Sequence, residues 1–173
     1  MFERGDLYMS ETAIESLFDP KIVYVSSGTT RQAVFKEVAD DLVAKGYVKD
    51  NFLDNLNSRE DAYPTGMDLS VVGSQYPNVA IPHTEANFVY KRRIVPVKLA
   101  HPVEFHNMIN PTQTMTVRFL FMILNNDPEG QANVLAEIME FLTHTPWDSL
   151  QHLFASDSPE EIFDFLSTNF DEK

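Results

Sequence analysis

The chain carries five histidines, at positions 83, 101, 106, 144 and 152, and no cysteine. Nucleophilic or acid–base work near neutral pH would therefore fall first to an imidazole, the side chain most easily tuned there. His83 has the most suggestive surroundings. It follows Val79-Ala80-Ile81, a short apolar run that reads as a strand, and the rigid Pro82. In α/β folds reactive groups collect at strand ends. Thr84 offers a hydroxyl beside it and a cap for a short helix over Glu85–Val89, whose exposed amides would favour a bound anion. A polar loop histidine without a role is the plainer reading of this segment taken alone. His101 and His106 bracket Pro102-Val103-Glu104-Phe105. A separation of five places them on opposite faces of a strand and on diverging faces of a helix, which argues against a metal pair. His144 and His152 fall near helix ends and read as solvated or cap-associated.

Arg59-Glu60 stands near the end of a predicted helix and is followed by the turn Tyr63-Pro64-Thr65-Gly66. An arginine and a threonine in a Gly-bounded turn suit a phosphoryl group, because the guanidinium makes forked, charge-assisted hydrogen bonds. Taken alone, the same segment is an exposed arginine and an ordinary turn. Lys91-Arg92-Arg93 is the only basic run and reads as a solvated turn between strands, with partner docking as a weaker alternative. A glycine-rich phosphate loop, His-Glu-x-x-His and Gly-x-Ser-x-Gly are all absent from the sequence. A histidine–metal hydrolase fails on ligand spacing, and no metal site is expected.

The elements that must position these residues follow from apolar spacing. A short helix is predicted over Thr12–Phe18, ended by Asp19-Pro20, and a strand over Ile22–Val25. Thr29 and Gln32 have capping-box spacing before a helix marked by Val34, Phe35, Val38, Leu42 and Val43, which Lys45-Gly46 ends. Asp50 is placed to cap a second helix carrying Phe52, Leu53 and Leu56, which must stop by Tyr63-Pro64. Leu69–Val72 reads as a strand. Ile94–Leu99 does too, but Pro96 predicts an edge strand or a bulge there. Thr116–Leu124 is the strongest strand, and its near-continuous apolar run predicts burial on both faces under helices. The last third is helical: one helix carries Val134 to Leu142, and Thr145-Pro146 and Ser158-Pro159 each suggest a cap followed by proline, with Glu161 completing a box. Interleaved strands and helices without repeats predict one α/β domain over residues 1–173, with 1–20 as a peripheral N-terminal extension.

At 173 residues and 43% hydrophobic, such a domain can build a real core. Its net charge of −13 argues against nucleic acid or an anionic membrane surface as partner. The longest apolar run, Phe119–Leu124, is far short of a membrane span, so no membrane insertion is expected. Met1-Phe2-Glu3-Arg4-Gly5-Asp6 lacks the character of a signal peptide, which leaves a cytoplasmic location as the expectation.

Taken together, Arg59-Glu60, Tyr63-Pro64-Thr65-Gly66 and Asn78-Val79-Ala80-Ile81-Pro82-His83-Thr84 resemble a known family. They are similar to the enzyme IIA component of the bacterial phosphoenolpyruvate-dependent sugar phosphotransferase system, of the fructose and mannitol type. The Tyr-Pro-Thr-Gly turn and the stretch Pro102-Val103-x-Phe105-x-x-Met108 bring the galactitol-type subunits closest. The resemblance spans roughly residues 15–170. It implies a mixed β-sheet flanked by helices on both faces. It implies that His83 takes a phosphoryl group on Nε2 from the histidine-containing phosphocarrier protein and passes it to a cysteine of a sugar-specific enzyme IIB. Arg59 would align with the motif arginine near the site, and Thr65 with the small hydroxyl residue of the following turn. Mannitol-type members carry a second histidine after the strongest strand; here Gln131 falls at that place, able to donate a hydrogen bond but not a positive charge. No cofactor is implied beyond the phosphoryl group, which starts on phosphoenolpyruvate. An apolar rim including Ile81 or Phe88 is expected around a partly exposed His83. The second expectation is a regulatory module, in which phosphorylation of His83 switches binding to a regulator.

Overall fold

In the computed structural model, which describes residues 16–170, five strands form one mixed sheet. They are β1 (Tyr24–Ser26), β2 (Gly66–Met67), β3 (Val79–Ala80), β4 (Arg93–His106) and β5 (Thr114–Leu124), in the order β1-β4-β5-β3-β2. The long β4–β5 pair is antiparallel, β1 runs parallel to β4, β3 parallel to β5, and β2 closes the far edge antiparallel to β3. Five helices cover it: α1 (Arg31–Ala44), α2 (Phe52–Ala62), α3 (Gln131–His144), α4 (Trp147–Ala155) and α5 (Pro159–Asn169).

The alternation of β5 decides the layers. Leu120, Met122 and Leu124 face a core built with Val34, Phe35 and Val38 of α1 and Phe52 and Leu56 of α2. Phe119, Phe121 and Ile123 face the opposite core, with Val134, Ile138 and Leu142 of α3, Leu150 and Leu153 of α4, and Ile162 and Leu166 of α5. This is the α/β architecture with helices on both faces that the sequence predicts. Each such side chain removed from water contributes about 1.5–3 kcal/mol, which is why β5 anchors whatever is attached to it. Among the described residues no helix is long and apolar enough to cross a membrane.

Several local expectations change. Of the helix expected at Thr12–Phe18, residues 12–15 lie outside the described residues, and Ser16–Phe18 are not helical. Leu69–Val71 is a 3-10 turn rather than a strand, because the Asp68 carboxylate accepts the Ser70 N–H at 2.9 Å and closes the chain locally. Ile94–Leu99 lies inside the long β4, not in an edge strand. Ile94 donates its N–H to Leu17 C=O on the side away from β5, and Pro96, two residues on, aims its missing N–H to that same side. Pairing with β1 begins only at Val97, so the proline breaks no ladder bond, and the irregularity falls later, between Lys98 and Val103. Thr30, not Thr29, caps α1 through its hydroxyl on Ala33 N–H. Asn51, not Asp50, precedes α2, and Pro146, not Thr145, precedes α4; neither makes a side-chain cap bond. Ser158 caps α5 as expected, but the Glu161 carboxylate accepts from Ser156 instead of returning to Ser158.

Candidate functional site

His83 sits three residues beyond the end of the short β3, on the sheet's second strand from the edge. Its backbone bridges Ile123 of β5 in parallel fashion, and Pro82 C=O accepts the Ile123 N–H at 2.9 Å. The histidine is therefore fixed at the carboxyl ends of two adjacent parallel strands, where an α/β sheet opens into a crevice. Above it the chain leaves β5 through Asn125–Gly130 and enters α3.

The ring is half-buried, and its Nδ1 lies 2.8 Å from Ile81 C=O. A carbonyl only accepts, so Nδ1 carries the hydrogen and donates. The neutral ring then keeps its lone pair on Nε2. Burial pushes the His83 pKa below its ordinary 6.5, the Ile81 carbonyl pulls it back up, and the Arg59 charge pushes it further down. The shift favours the unprotonated ring near neutrality, with a lone pair on Nε2 that a nucleophile would need. The titration of His83 followed by NMR should have its midpoint below 6.5. Below 6.5 the unfolded chain takes up a proton that the folded ring resists, so His83 makes the fold less stable as pH falls through that window and has no effect above it.

A cleft of about 390 Å³ opens on the ring, lined by Arg59, His83, Thr84, Ala86, Asn125 and Gln131 among others. Arg59 comes from the last turn of α2. Its guanidinium stacks on the Tyr63 ring at 4.9 Å, and its Nε is buried without a hydrogen-bond partner. Gln131 is the first residue of α3. Its carbonyl oxygen accepts from Asn125 Nδ2 at 3.3 Å, which leaves its NH2 group as a donor for the cleft. No side chain caps the first amides of α3, and the helix dipole there favours an anion. A neutral imidazole nitrogen, an arginine and amide donors around one opening suit an electrophile that carries negative charge, such as a phosphoryl group.

Arg59, His83 and Gln131 are thus brought together, and Thr65 is not. Thr65 is buried away from the cleft, with its N–H and its hydroxyl both donating to the Glu60 carboxylate at 2.7 and 2.8 Å. Thr84 borders the cleft but donates to Glu85 C=O, and the chain continues into a three-residue 3-10 turn, Ala86–Phe88, rather than a capped helix. Ile81 is wholly buried, the partly buried Phe88 packs against the α1–α2 core, and neither lines the cleft. The exposed aromatic nearest Arg59 is Tyr63, 65% exposed. His101 and His106 are exposed on β4, and neither lines this cleft.

Two supporting residues escape a reading by sequence. Asn55 of α2 accepts the Glu85 N–H at 3.0 Å and ties the loop after His83 to the helix that carries Arg59. Asn125 accepts the Asp127 N–H at 3.3 Å and orients Gln131. The Asn-x-Asp-Pro pattern is an Asx-turn signal that could have marked the second; Asn55 has none.

A sequence model of the phosphoenolpyruvate-dependent sugar phosphotransferase system, EIIA 2, matches residues 16–169. Comparison with curated proteins finds no match. Among solved structures, a protein described as a PTS IIA domain from Streptococcus pyogenes is 20% identical with a TM-score of 0.67, covering 90% of this chain and 95% of its own. The complex of mannitol enzyme IIA with phosphorylated enzyme IIB from Escherichia coli matches at 17% and 0.66, covering 87% of this chain and 97% of that one. The nitrogen regulatory protein IIA-Ntr from Neisseria meningitidis matches at 17% and 0.60, covering 87% and 96%. At these identities the likenesses speak for the fold.

Proposed function

Because the chain belongs to the EIIA 2 family of the phosphoenolpyruvate-dependent sugar phosphotransferase system, whose domains take a phosphoryl group and pass it to an enzyme IIB, we propose that His83 is the residue that carries it. The observation that carries this reading is the Nδ1 bond to Ile81 C=O, which leaves Nε2 as the lone pair beside Arg59 and the Gln131 amide. The donor is the histidine-containing phosphocarrier protein. The Nε2 lone pair attacks phosphorus, an N–P bond forms on His83, and the N–P bond of the donor breaks with its electron pair returning to the donor nitrogen. The phosphorylated ring keeps its Nδ1 hydrogen, and Ile81 C=O holds that more cationic form. A thiolate of enzyme IIB then attacks; an S–P bond forms, and the pair returns to Nε2. The charge of the moving group is spread over its equatorial oxygens, so positioning and electrostatics do most of the work. Arg59 and Gln131 are the candidates for that stabilisation. Thr65, bonded to Glu60, contributes through the backbone it holds.

The partner transporter is read as a galactitol-like sugar-alcohol system, on the strength of Tyr63-Pro64-Thr65-Gly66 and Pro102-Val103-x-Phe105-x-x-Met108. A second reading is a regulatory module that uses the same phosphohistidine to switch a regulator, and the fold likeness to the nitrogen regulatory protein is compatible with it. The net charge of −13 suits encounter with basic partner faces in either case, with on-rates that fall as salt rises.

Incubation with phosphoenolpyruvate, enzyme I and the phosphocarrier protein, followed by intact-mass analysis, tests the reading. One acid-labile phosphoryl group is expected, chased off by a galactitol-type enzyme IIB. No label beside a working control protein overturns it. A label that no enzyme IIB removes selects the regulatory reading.

A further inference from the structure

Glu60 is a costly residue where it lies. It is 4% exposed, and burying a carboxylate is unfavourable unless it is fully engaged. Its place was set by spacing: Phe52, Leu56 and Glu60 recur every four residues and form the buried stripe of α2. The neighbouring Arg59, one position off that stripe, turns to the cleft. Burial pushes the Glu60 pKa up, while the Thr65 bonds and the Arg31 charge pull it back down.

What the carboxylate holds leads directly to His83. Thr65 gives it both an N–H and a hydroxyl, at 2.7 and 2.8 Å. The C=O of the same Thr65 accepts the Ile81 N–H at 3.3 Å, and the C=O of Ile81 accepts His83 Nδ1–H at 2.8 Å. The next residue, Gly66, pairs with Ala80 in β3 and lies so close to His106 C=O that a Cβ there would meet the oxygen at 2.5 Å. The peptide that carries Thr65 is therefore clamped from both sides, and one side of the clamp is Glu60.

We infer that Glu60 is a positioning residue for His83: through Thr65 and Ile81 it fixes the carbonyl that sets the tautomer of the ring, and through α2 it fixes Arg59 against that ring. This rests on the reading of His83 as phosphoryl acceptor. A displacement of about 1 Å in such a site can cost up to ~10²-fold in rate. The relay consists of one buried carboxylate and two hydrogen bonds accepted by backbone carbonyls, those of Thr65 and Ile81, so loosening it is felt at Nδ1 without any substitution among the residues lining the cleft.

The test combines 15N NMR of the His83 ring with phosphoryl acceptance from the phosphocarrier protein, on Glu60→Gln, Thr65→Val and Thr65→Ser. Wild type is expected to hold the single Nδ1–H tautomer. Glu60→Gln and Thr65→Val should give a mixture of both tautomers and at least about tenfold slower acceptance. Thr65→Ser keeps the hydroxyl and should restore both. A folded Glu60→Gln and Thr65→Val with one tautomer and wild-type acceptance would reduce Glu60 to a staple of the turn and overturn the inference. Thr65→Val keeps volume and the N–H bond, and it decides the matter where Glu60→Gln does not fold. The tautomer is read without any donor, so an unphosphorylated wild type would sink the functional reading and leave the tautomer half of this test to decide the positioning role.

Discussion

Replacing His83 by alanine is expected to abolish phosphoryl acceptance, at least ~10³-fold below wild type, with the fold retained. The loss is this large if the residue is the covalent acceptor, as proposed above, because no other group lining the cleft has an unprotonated ring nitrogen to take its place. The fold should survive because the ring is half-buried and makes one hydrogen bond, to Ile81 C=O, worth on the order of 1 kcal/mol. The backbone that positions it is held independently by Pro82 on Ile123. His83→Gln is the companion variant: it keeps polarity and approximate volume but has no imidazole nitrogen, and it should be equally inert. Intact mass after the full donor cascade, with thermal unfolding of each variant, checks both halves. A phosphoryl group on His83→Ala at a rate near wild type would move the acceptor elsewhere. His106, exposed with its Nδ1 on Pro111 C=O, would be the next histidine to substitute.

Much of the fold was legible because its two periodicities are clean. β5 reads as an apolar run because Phe119, Phe121 and Ile123 serve one core while Leu120, Met122 and Leu124 serve the other. The stripes of α1 and α3 are equally plain. What was not legible depends on partners distant in sequence. Nothing local says that Pro96 aims its missing N–H toward a stretch that β1 leaves unpaired, so the rule that sends proline to edge strands misplaced it. Leu69–Val72 has strand composition, but Asp68 offers a bond within the turn that a ladder would have to outcompete. At the site, residue type suggested a phosphate role for Thr65, whereas its neighbours in space commit both its donors to Glu60. That bond was readable in principle, since Glu60 continues the Phe52–Leu56 stripe and a carboxylate on such a stripe must find donors. Gln131 was identified by its place in the chain; that its carbonyl is spent on Asn125, leaving only its NH2 group for the cleft, is knowable only from the geometry.

The second large effect is expected at Arg59. Removing one preorganised donor from a charged transition state costs about 10²–10³-fold. Arg59→Ala should fall in that range for phosphoryl acceptance, and Arg59→Lys should recover only part of it, because an ammonium supplies charge without the planar fork. The folded state gives reason to assign the loss to chemistry. The guanidinium packs on the exposed Tyr63 ring at 4.9 Å, a contact worth roughly 0.5–1 kcal/mol at such a site, and its Nε has no protein partner to leave behind. Stability should therefore change little while the rate changes greatly. A second readout needs no donor protein. The Arg59 charge is one of the two causes that hold the His83 pKa down, so Arg59→Ala should move the titration midpoint of His83 back up, toward 6.5, while burial still keeps it below. Arg59→Lys should leave the midpoint close to that of wild type, since its charge is kept. The two readouts separate the ways in which arginine could act. If the midpoint rises but acceptance is unchanged, Arg59 tunes the nucleophile without touching the moving phosphoryl group. If neither moves, the cleft does not use Arg59 at all, and the Gln131 amide with the first turn of α3 would have to hold the anion alone.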